Sequence, residues 1–261
     1  FCWRCDSPLI YRTISTWFVE VEKIKERMVN ANQQIWWVPE HIKDGRFGKW
    51  LEGARDWAIS RNRYWGTPLP VWRNEESGAT VCIGSRAELE ALCGHPVEDL
   101  HKHVIDDIEL ADPNGGTMRR VPEVLDCWFE SGSMPYAQNH YPFENKEFVE
   151  ANFPADFISE GLDQTRGWFY TLTVLAAALF DKPAFRNCIV SGMLLAEDGR
   201  KMSKRLKNYP EPSEMMDTYG ADALRLYLLN SAALKAEEMR MTEEGIKESL
   251  RAVIIPLWSA Y

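Results

Sequence analysis

No stretch of the 261 residues holds an apolar run of about 18, the length a membrane-crossing helix needs. Leu172 to Phe180 is apolar but too short, and no signal peptide opens the chain, so no membrane partner is expected. A positive balance is also missing: 30 Lys and Arg stand against 39 Asp and Glu, a net charge of −9. This argues against a chain that binds nucleic acid over its whole surface, while leaving room for a local basic patch. Cysteine is sparse and scattered, at Cys2, Cys5, Cys82, Cys93, Cys127 and Cys188. A chain of this size needs no disulfides, and the scatter leads to the expectation of a reducing, cytoplasmic setting. Repeats and low-complexity linkers are absent. So is an initiating Met, and the chain is expected to be a fragment.

A second CxxC is missing as well. Cys2-Trp3-Arg4-Cys5 stands alone, whereas a structural zinc site takes four ligands, usually from two such knuckles. Three readings stay open: half of a zinc site, a redox pair, or two ordinary cysteines. No thioredoxin-like context supports the second. Cys93, His101 and His103 fit no standard zinc spacing and read as surface residues.

What is present is ordinary globular text, 45% hydrophobic and 26% charged, with 11 Trp, a number that points to aromatic pockets. The β-branched run from Thr13 to Val21 reads as a strand, Glu22 to Asn32 as a polar helix, and Gln34 to Pro39 as a short strand. Phe47, Trp50, Leu51, Ala54, Trp57 and Ala58 recur at helical spacing over Gly45 to Ile59. From about Arg73 to Arg120 the text turns polar and reads as an insertion, with an acidic helix from Ser85 to Leu92. Trp128 and Phe129 precede a Ser/Gly turn, where they would either wall a pocket or pack. Phe153 to Ser159 reads as a strand, Thr165 to Phe180 as a long apolar helix, and Asn187 to Leu195 as the next strand. Strand, helix and strand in that order make a parallel crossover, so the fold class is α/β. After Pro212 the text is helical: Ser213 would cap Glu214 to Thr218, Ala221 to Leu234 follows, and Thr242 to Tyr261 is expected to break at Pro256.

Ligands of open α/β sheets bind outside the C-terminal strand ends. Glu160, Asp163 and Gln164 fall at such an end. Their carboxylates can hold an ammonium group or ribose hydroxyls, or Asp163 can simply cap the helix. The crossover leads into a loop in which five of the eight residues from Arg200 to Lys207 are basic. Gly199 permits a tight turn just before it. Lysine, a point charge on a flexible stem, suits a polyphosphate whose charge moves during reaction.

Lys201-Met202-Ser203-Lys204-Arg205 resembles the KMSKS-type signature of class I aminoacyl-tRNA synthetases. Further stretches resemble the isoleucyl branch: Cys2 to Leu9, Arg55 to Arg61, Tyr64 to Pro68, Asp126 to Gly132, and above all Glu160-Gly-Leu-Asp-Gln-Thr-Arg-Gly-Trp-Phe169. The resemblance implies the second half of a Rossmann-like catalytic domain with a small insertion, followed by the start of a helical domain. Residues 1–45 would then be the remainder of a connective and editing insertion, 46–210 the catalytic half with its insertion at about 73–120, and 211–261 the helical start. It further implies activation of isoleucine by ATP with magnesium, then transfer to tRNA(Ile), by a monomer. Lys201, Ser203 and Lys204 would bind ATP, with Lys201 and Lys204 catalytic. Glu160, Gly161, Asp163 and Gln164 would hold the aminoacyl-adenylate, and Trp128 and Trp168 would flank the isoleucine side chain. Cys2 and Cys5 would be two ligands of a possible zinc ion. The family's His-x-Gly-His motif is absent, since the five histidines are His41, His95, His101, His103 and His140, so this stretch is expected to be inactive alone. Two other readings stand beside this one: a non-catalytic nucleotide- or RNA-binding module of the same descent, or a valyl- or leucyl-type enzyme.

Overall fold

A computed structural model describes every residue except Trp3, Arg4 and Lys204. The chain divides into two compact units. One comprises Phe1–Glu22 and Arg55–Ser131, the other Lys23–Ala54 and Gly132–Tyr261.

The first unit is built on antiparallel strands. Phe18–Val19 pairs with Trp57–Ala58, and Ser60–Arg61 with Val124–Leu125. The polar insertion forms a four-stranded sheet in the order Thr80–Cys82, Val71–Arg73, Thr117–Arg120, Glu109–Ala111. Its own core packs Trp72 against Ile83, Leu89, Ile105, Leu110 and Met118. The Trp72 indole N–H donates to Ile108 O at 2.8 Å, which satisfies its one polar atom inside that core. At the sheet's rim Asn74 Nδ2 donates to Asp112 Oδ2 at 2.7 Å, and Ser77 donates to the same oxygen. The acidic helix runs Arg86–Cys93, with Ser85 accepting from Glu88 N.

The second unit centres on a parallel sheet in the order Ala155–Gly161, Phe185–Ser191, Trp36–Val38. The crossover between the first two strands carries the helix Trp168–Phe180, whose residues from Phe169 to Ala177 are all buried. Trp37 meets Phe47, Phe169 and Phe185 with ring centroids 4.9, 5.7 and 5.9 Å away, at tilted and edge-on angles. Its indole N–H donates to Asn32 Oδ1, and Asn32 Nδ2 donates to Lys43 O, each at 2.9 Å. This seals the polar atoms of a fully buried aromatic cluster. A second cluster, Met215, Ala223, Leu224, Met241 and Ile246, joins the helices Pro212–Tyr219, Ala221–Leu229 and Glu243–Ser249.

Several local expectations are corrected. The run from Thr13 to Val21 keeps strand geometry only at Phe18–Val19, and Val21 opens the helix Val21–Gln33. The helical spacing over Gly45 to Ile59 holds where Phe47, Leu51 and Ala54 are buried. The helix Gly48–Glu52 nevertheless stops at Gly53, and Trp57 lies in a strand. Ser131 and Gly132 form no turn; the helix Cys127–Ala137 runs through them because Gly132 sits against the Thr171 backbone. Ser213 does not cap: the helix starts at Pro212, with Glu211 at the cap position and no side-chain cap bond. Pro212 fits the first turn because its missing N–H would be unpaired there anyway. The stretch Ala221 to Leu234 ends as a helix at Leu229 and resumes as a 3-10 turn at Ala232–Lys235. Pro256 does not break the last helix; a widened π turn at Leu250–Ile254 precedes it and the helix continues over Ile255–Ala260.

Candidate functional site

Two connections leave the C-terminal edge of the parallel sheet. Gly161 pairs with Ser191 in register, so the turn after one strand and the hairpin after the next start at the same level.

The first connection is the 3-10 turn Leu162–Arg166. Glu160, the penultimate residue of its strand, is exposed, and its carboxylate has no hydrogen-bond or ion-pair partner among the described residues. Asp163 and Gln164 follow, and Gln164 Nε2 donates to Asp163 Oδ2 at 3.2 Å. Gln164 Oε1 accepts from Trp168 N at 3.0 Å. The helix start is therefore held by Gln164, and the capping role open to Asp163 in the sequence falls to its neighbour. Thr165 is buried and donates to Leu162 O at 2.8 Å, while Arg46 Nε donates to Thr165 Oγ1 at 3.1 Å. At Gly161 a Cβ would lie 2.8 Å from Asp163 Oδ1. Backbone and carboxylate thus approach closely at the mouth of the turn. Trp168 is half-buried and walls one side of an apolar cavity of about 240 Å3, together with Met134, Phe148, Ile158 and Leu172.

The second connection carries the lysines. After Ser191 the chain forms the short strand Leu194–Leu195, which pairs in parallel with Met239–Arg240. It then folds back, with Leu195 bridging antiparallel to Lys201 and Ala196 N donating to Arg200 O at 2.9 Å. Gly199 at the bend has φ +81°, the conformation that favours glycine. Asp198 accepts from Arg200 N and Arg200 Nε; these bonds and the positive charges of Arg200 and Arg240 hold its carboxyl below the usual carboxylate range. Lys201 is exposed, and its ammonium has no partner among the described residues. Ser203 N donates to Asn208 Oδ1 at 2.9 Å, and Asn208 Nδ2 donates to Lys201 O at 3.2 Å. Met202 packs against the cluster around Met215 and Ile246. Lys204 lies outside the described residues.

The structure thus brings Glu160, Gly161, Asp163, Gln164, Trp168, Lys201 and Ser203 into one unit, on connections from adjacent strands. Trp128 belongs to the other unit. It sits at the start of the helix Cys127–Ala137, 40% exposed, with its N–H donating to Asp126 Oδ1 at 3.0 Å. Asp126, itself buried, pairs with Arg61, whose Nη1 donates to Ala58 O and Ser60 O. Trp128 lines a cavity of about 1040 Å3 in that unit, with Arg63, Tyr64, Trp65, Lys102 and His101. Tyr64 and Trp65 are 71% and 79% exposed, and Trp65 lies 5.9 Å from the His101 ring. In the sequence, two adjacent aromatics before Gly66-Thr67-Pro68 are the signal for this wall.

Cys2 is half-buried and Cys5 exposed, both free. Cys2 N donates to Ser7 O and Asp6 N to Cys2 O, each at 2.8 Å, which makes a tight knuckle. Hydrogen bonds from Ser7 and Cys2 hold the Cys5 thiol below its ordinary value. A lowered thiol suits a metal, since the thiolate is the ligand. The pair supplies two sulfurs, and no group of three candidate metal ligands occurs among the described residues.

Residues 7–240 match the family of tRNA synthetases class I (I, L, M and V). The chain is 65% identical over 261 residues to an isoleucine–tRNA ligase of Treponema denticola, covering all of this chain and 24% of that protein. It is 66% identical over 260 residues to one of Chlamydia trachomatis, covering 100% of this chain and 25% of that protein. The chain thus spans about a quarter of the length of these curated relatives. Among solved structures it resembles the LeuRS–tRNA–LeuAMS complex of Agrobacterium radiobacter, with TM-score 0.58 and 24% identity over 79% of this chain and 29% of that one. It also resembles Mycobacterium tuberculosis methionyl-tRNA synthetase bound by methionyl-adenylate, with TM-score 0.59 and 17% identity over 95% of this chain and 39% of that one. At these identities the two structures speak for the fold alone.

Proposed function

The chain belongs to the class I tRNA synthetases (I, L, M and V), and from that premise we propose that it is the adenylate-forming part of an isoleucine–tRNA ligase. In the reaction an isoleucine carboxylate oxygen attacks the α-phosphorus of ATP. A new O–P bond forms, and the bond to pyrophosphate breaks. The acyl group then passes to the terminal ribose of tRNA(Ile).

The observation that carries this reading is a pair of opposite charges, Glu160 and Lys201, whose side chains have no partner among the described residues and which lie on connections from the same edge of adjacent parallel strands. A bare carboxylate suits the ammonium group of an amino acid. A bare ammonium suits the β- and γ-phosphates, where charge builds as pyrophosphate leaves. Gly161 and Asp163 are assigned to the ribose and Gln164 to the adenylate's edge. Trp168 is assigned to the isoleucine side chain. Lys204 joins Lys201 on the phosphates, with Ser203 between them. Because the phosphate supplies the leaving group, these residues act by positioning and charge stabilisation. Magnesium would arrive with ATP and screen its phosphates. The reading includes zinc at Cys2 and Cys5 and a cytoplasmic monomer. It also takes 1–45 as the edge of an inserted region, 46–210 as the catalytic half and 211–261 as the start of a helical domain.

The test is thermal unfolding of the chain with non-hydrolysable isoleucyl-, valyl- and leucyl-adenylate analogues. Stabilisation is expected to be greatest with the isoleucyl compound. Equal shifts, or none, would remove the isoleucine assignment.

A further inference from the structure

The lysine hairpin is held from outside itself, and the residue that holds it lies far along the chain. Arg240 sits in the strand Met239–Arg240, paired in register with Leu194–Leu195, and Met241 N donates to Leu195 O at 2.9 Å. Leu195 also bridges to Lys201 on its other side. Leu195 therefore lies between Arg240 and the first lysine, and three backbone segments run side by side.

The Arg240 side chain extends this hold to the bend. A Cβ at Gly199 would lie 3.0 to 3.1 Å from Arg240 Nε, Cζ and Nη2, so the guanidinium covers the glycine. Its charge also contributes to holding the Asp198 carboxyl ionised. A planar guanidinium can lie flat on a peptide and face a carboxylate at once, which an ammonium cannot do. Upstream, a Cβ at Gly192 would lie 1.8 Å from Glu237 O, and Gly192 N donates to Ala233 O at 2.6 Å. The segment around residues 233–240 thus grips the hairpin at its root and at its bend.

Resting on the phosphate-binding reading above, we infer that Arg240 is a positioning residue for adenylate formation. It does not touch substrate; it fixes the bend from which Lys201 extends. Loss of the guanidinium removes the outside hold on the Gly199 bend and leaves only its own hydrogen bonds, and Lys201 then meets the phosphates in the right place for only part of the time. The effect falls on the ATP side of the reaction, because the Glu160 turn is built from separate hydrogen bonds.

The experiment uses a full-length isoleucine–tRNA ligase in which these 261 residues form the matching segment, assayed by isoleucine-dependent ATP–pyrophosphate exchange. Arg240→Ala is expected to lower kcat on the order of tenfold and raise the KM for ATP severalfold, with the KM for isoleucine unchanged. Arg240→Lys restores the charge near Asp198 but not the flat face, so partial recovery is expected. Arg240→Gln, which keeps a planar polar group on a shorter stem, repeats the measurement should Arg240→Ala not fold. Unchanged kinetics would overturn the inference, as would parallel rises in both KM values, which mark general damage. Lys201→Ala serves as the separate arm. If it too leaves exchange untouched, the phosphate-binding reading fails; if it abolishes exchange while Arg240→Ala is silent, only the role of Arg240 fails.

Discussion

The Glu160 turn and the lysine hairpin leave the same edge of one sheet, yet they are held in different ways. The turn is wired mostly within itself, with one long-range bond from Arg46 to Thr165. Gln164 ties Asp163 to the helix start at Trp168, and Thr165 closes onto Leu162. The hairpin is wired to distant chain, through the Met239–Arg240 strand, the Ala233 carbonyl and the cluster that buries Met202. Short-range hydrogen bonds make a stiff platform for the end of the ligand that does not change. Long-range attachment makes a mount whose setting depends on a separate helical segment. For a reaction in which the phosphates move and the amino group stays, that division of labour fits the chemistry proposed.

Gly192→Ala strikes the long-range mount hardest. A Cβ placed 1.8 Å from Glu237 O cannot be accommodated without moving backbone. A loss of about 3 kcal/mol in urea unfolding is expected, with faster hydrogen exchange over 192–207 but not over 160–168. Equal exchange in both stretches would erase the contrast between them. Lys201→Ala, in the full-length setting, is expected to cut pyrophosphate exchange about 100-fold while leaving stability unchanged, the scale seen when one charge-stabilising donor is removed. Gln164→Ala attacks the self-contained turn instead. It removes the acceptor for Trp168 N and is expected to cost about 1 kcal/mol in thermal unfolding. Gln164→Glu, which keeps the acceptor, should lose less.

The smallest effect belongs to Asp198. Its carboxyl lies below the usual range in the folded chain, through Arg200 first and Arg240 with it. The stability it adds is present above the ordinary carboxylate range and fades as pH falls through that range and below. Asp198→Asn should therefore lower the unfolding temperature slightly at neutral pH and make no difference in strong acid. A gap that widens on acidification would contradict the assigned cause.

The place of the Glu160 turn was legible in the sequence, though not that Gln164 rather than Asp163 holds the helix start, and the long-range mount was not legible. The Ala155–Gly161 strand and the buried helix Trp168–Phe180 follow from apolar runs and local residue choice. Glu160, Asp163 and Gln164 follow from where those runs end. By contrast, nothing local to Arg240 marks it, because its importance lies in a pairing with Leu195 and a close approach to Gly199. The strand expected over Thr13 to Val21 shows the same limit. β-branched residues favour a strand, but only Phe18–Val19 finds a partner, at Trp57–Ala58. Gly132 likewise read as a turn, although its lack of a side chain serves packing against Thr171.

Cys188, midway along the central strand of the parallel sheet, is fully buried, and burial pushes its thiol up to about 12. Of the six cysteines it is the buried one, the others being exposed or half-exposed. Mild alkylation will therefore block the other five and spare this one. These 261 residues then carry a single latent tag, and a second reagent added during unfolding will record when the sheet itself opens, separately from the loops around it.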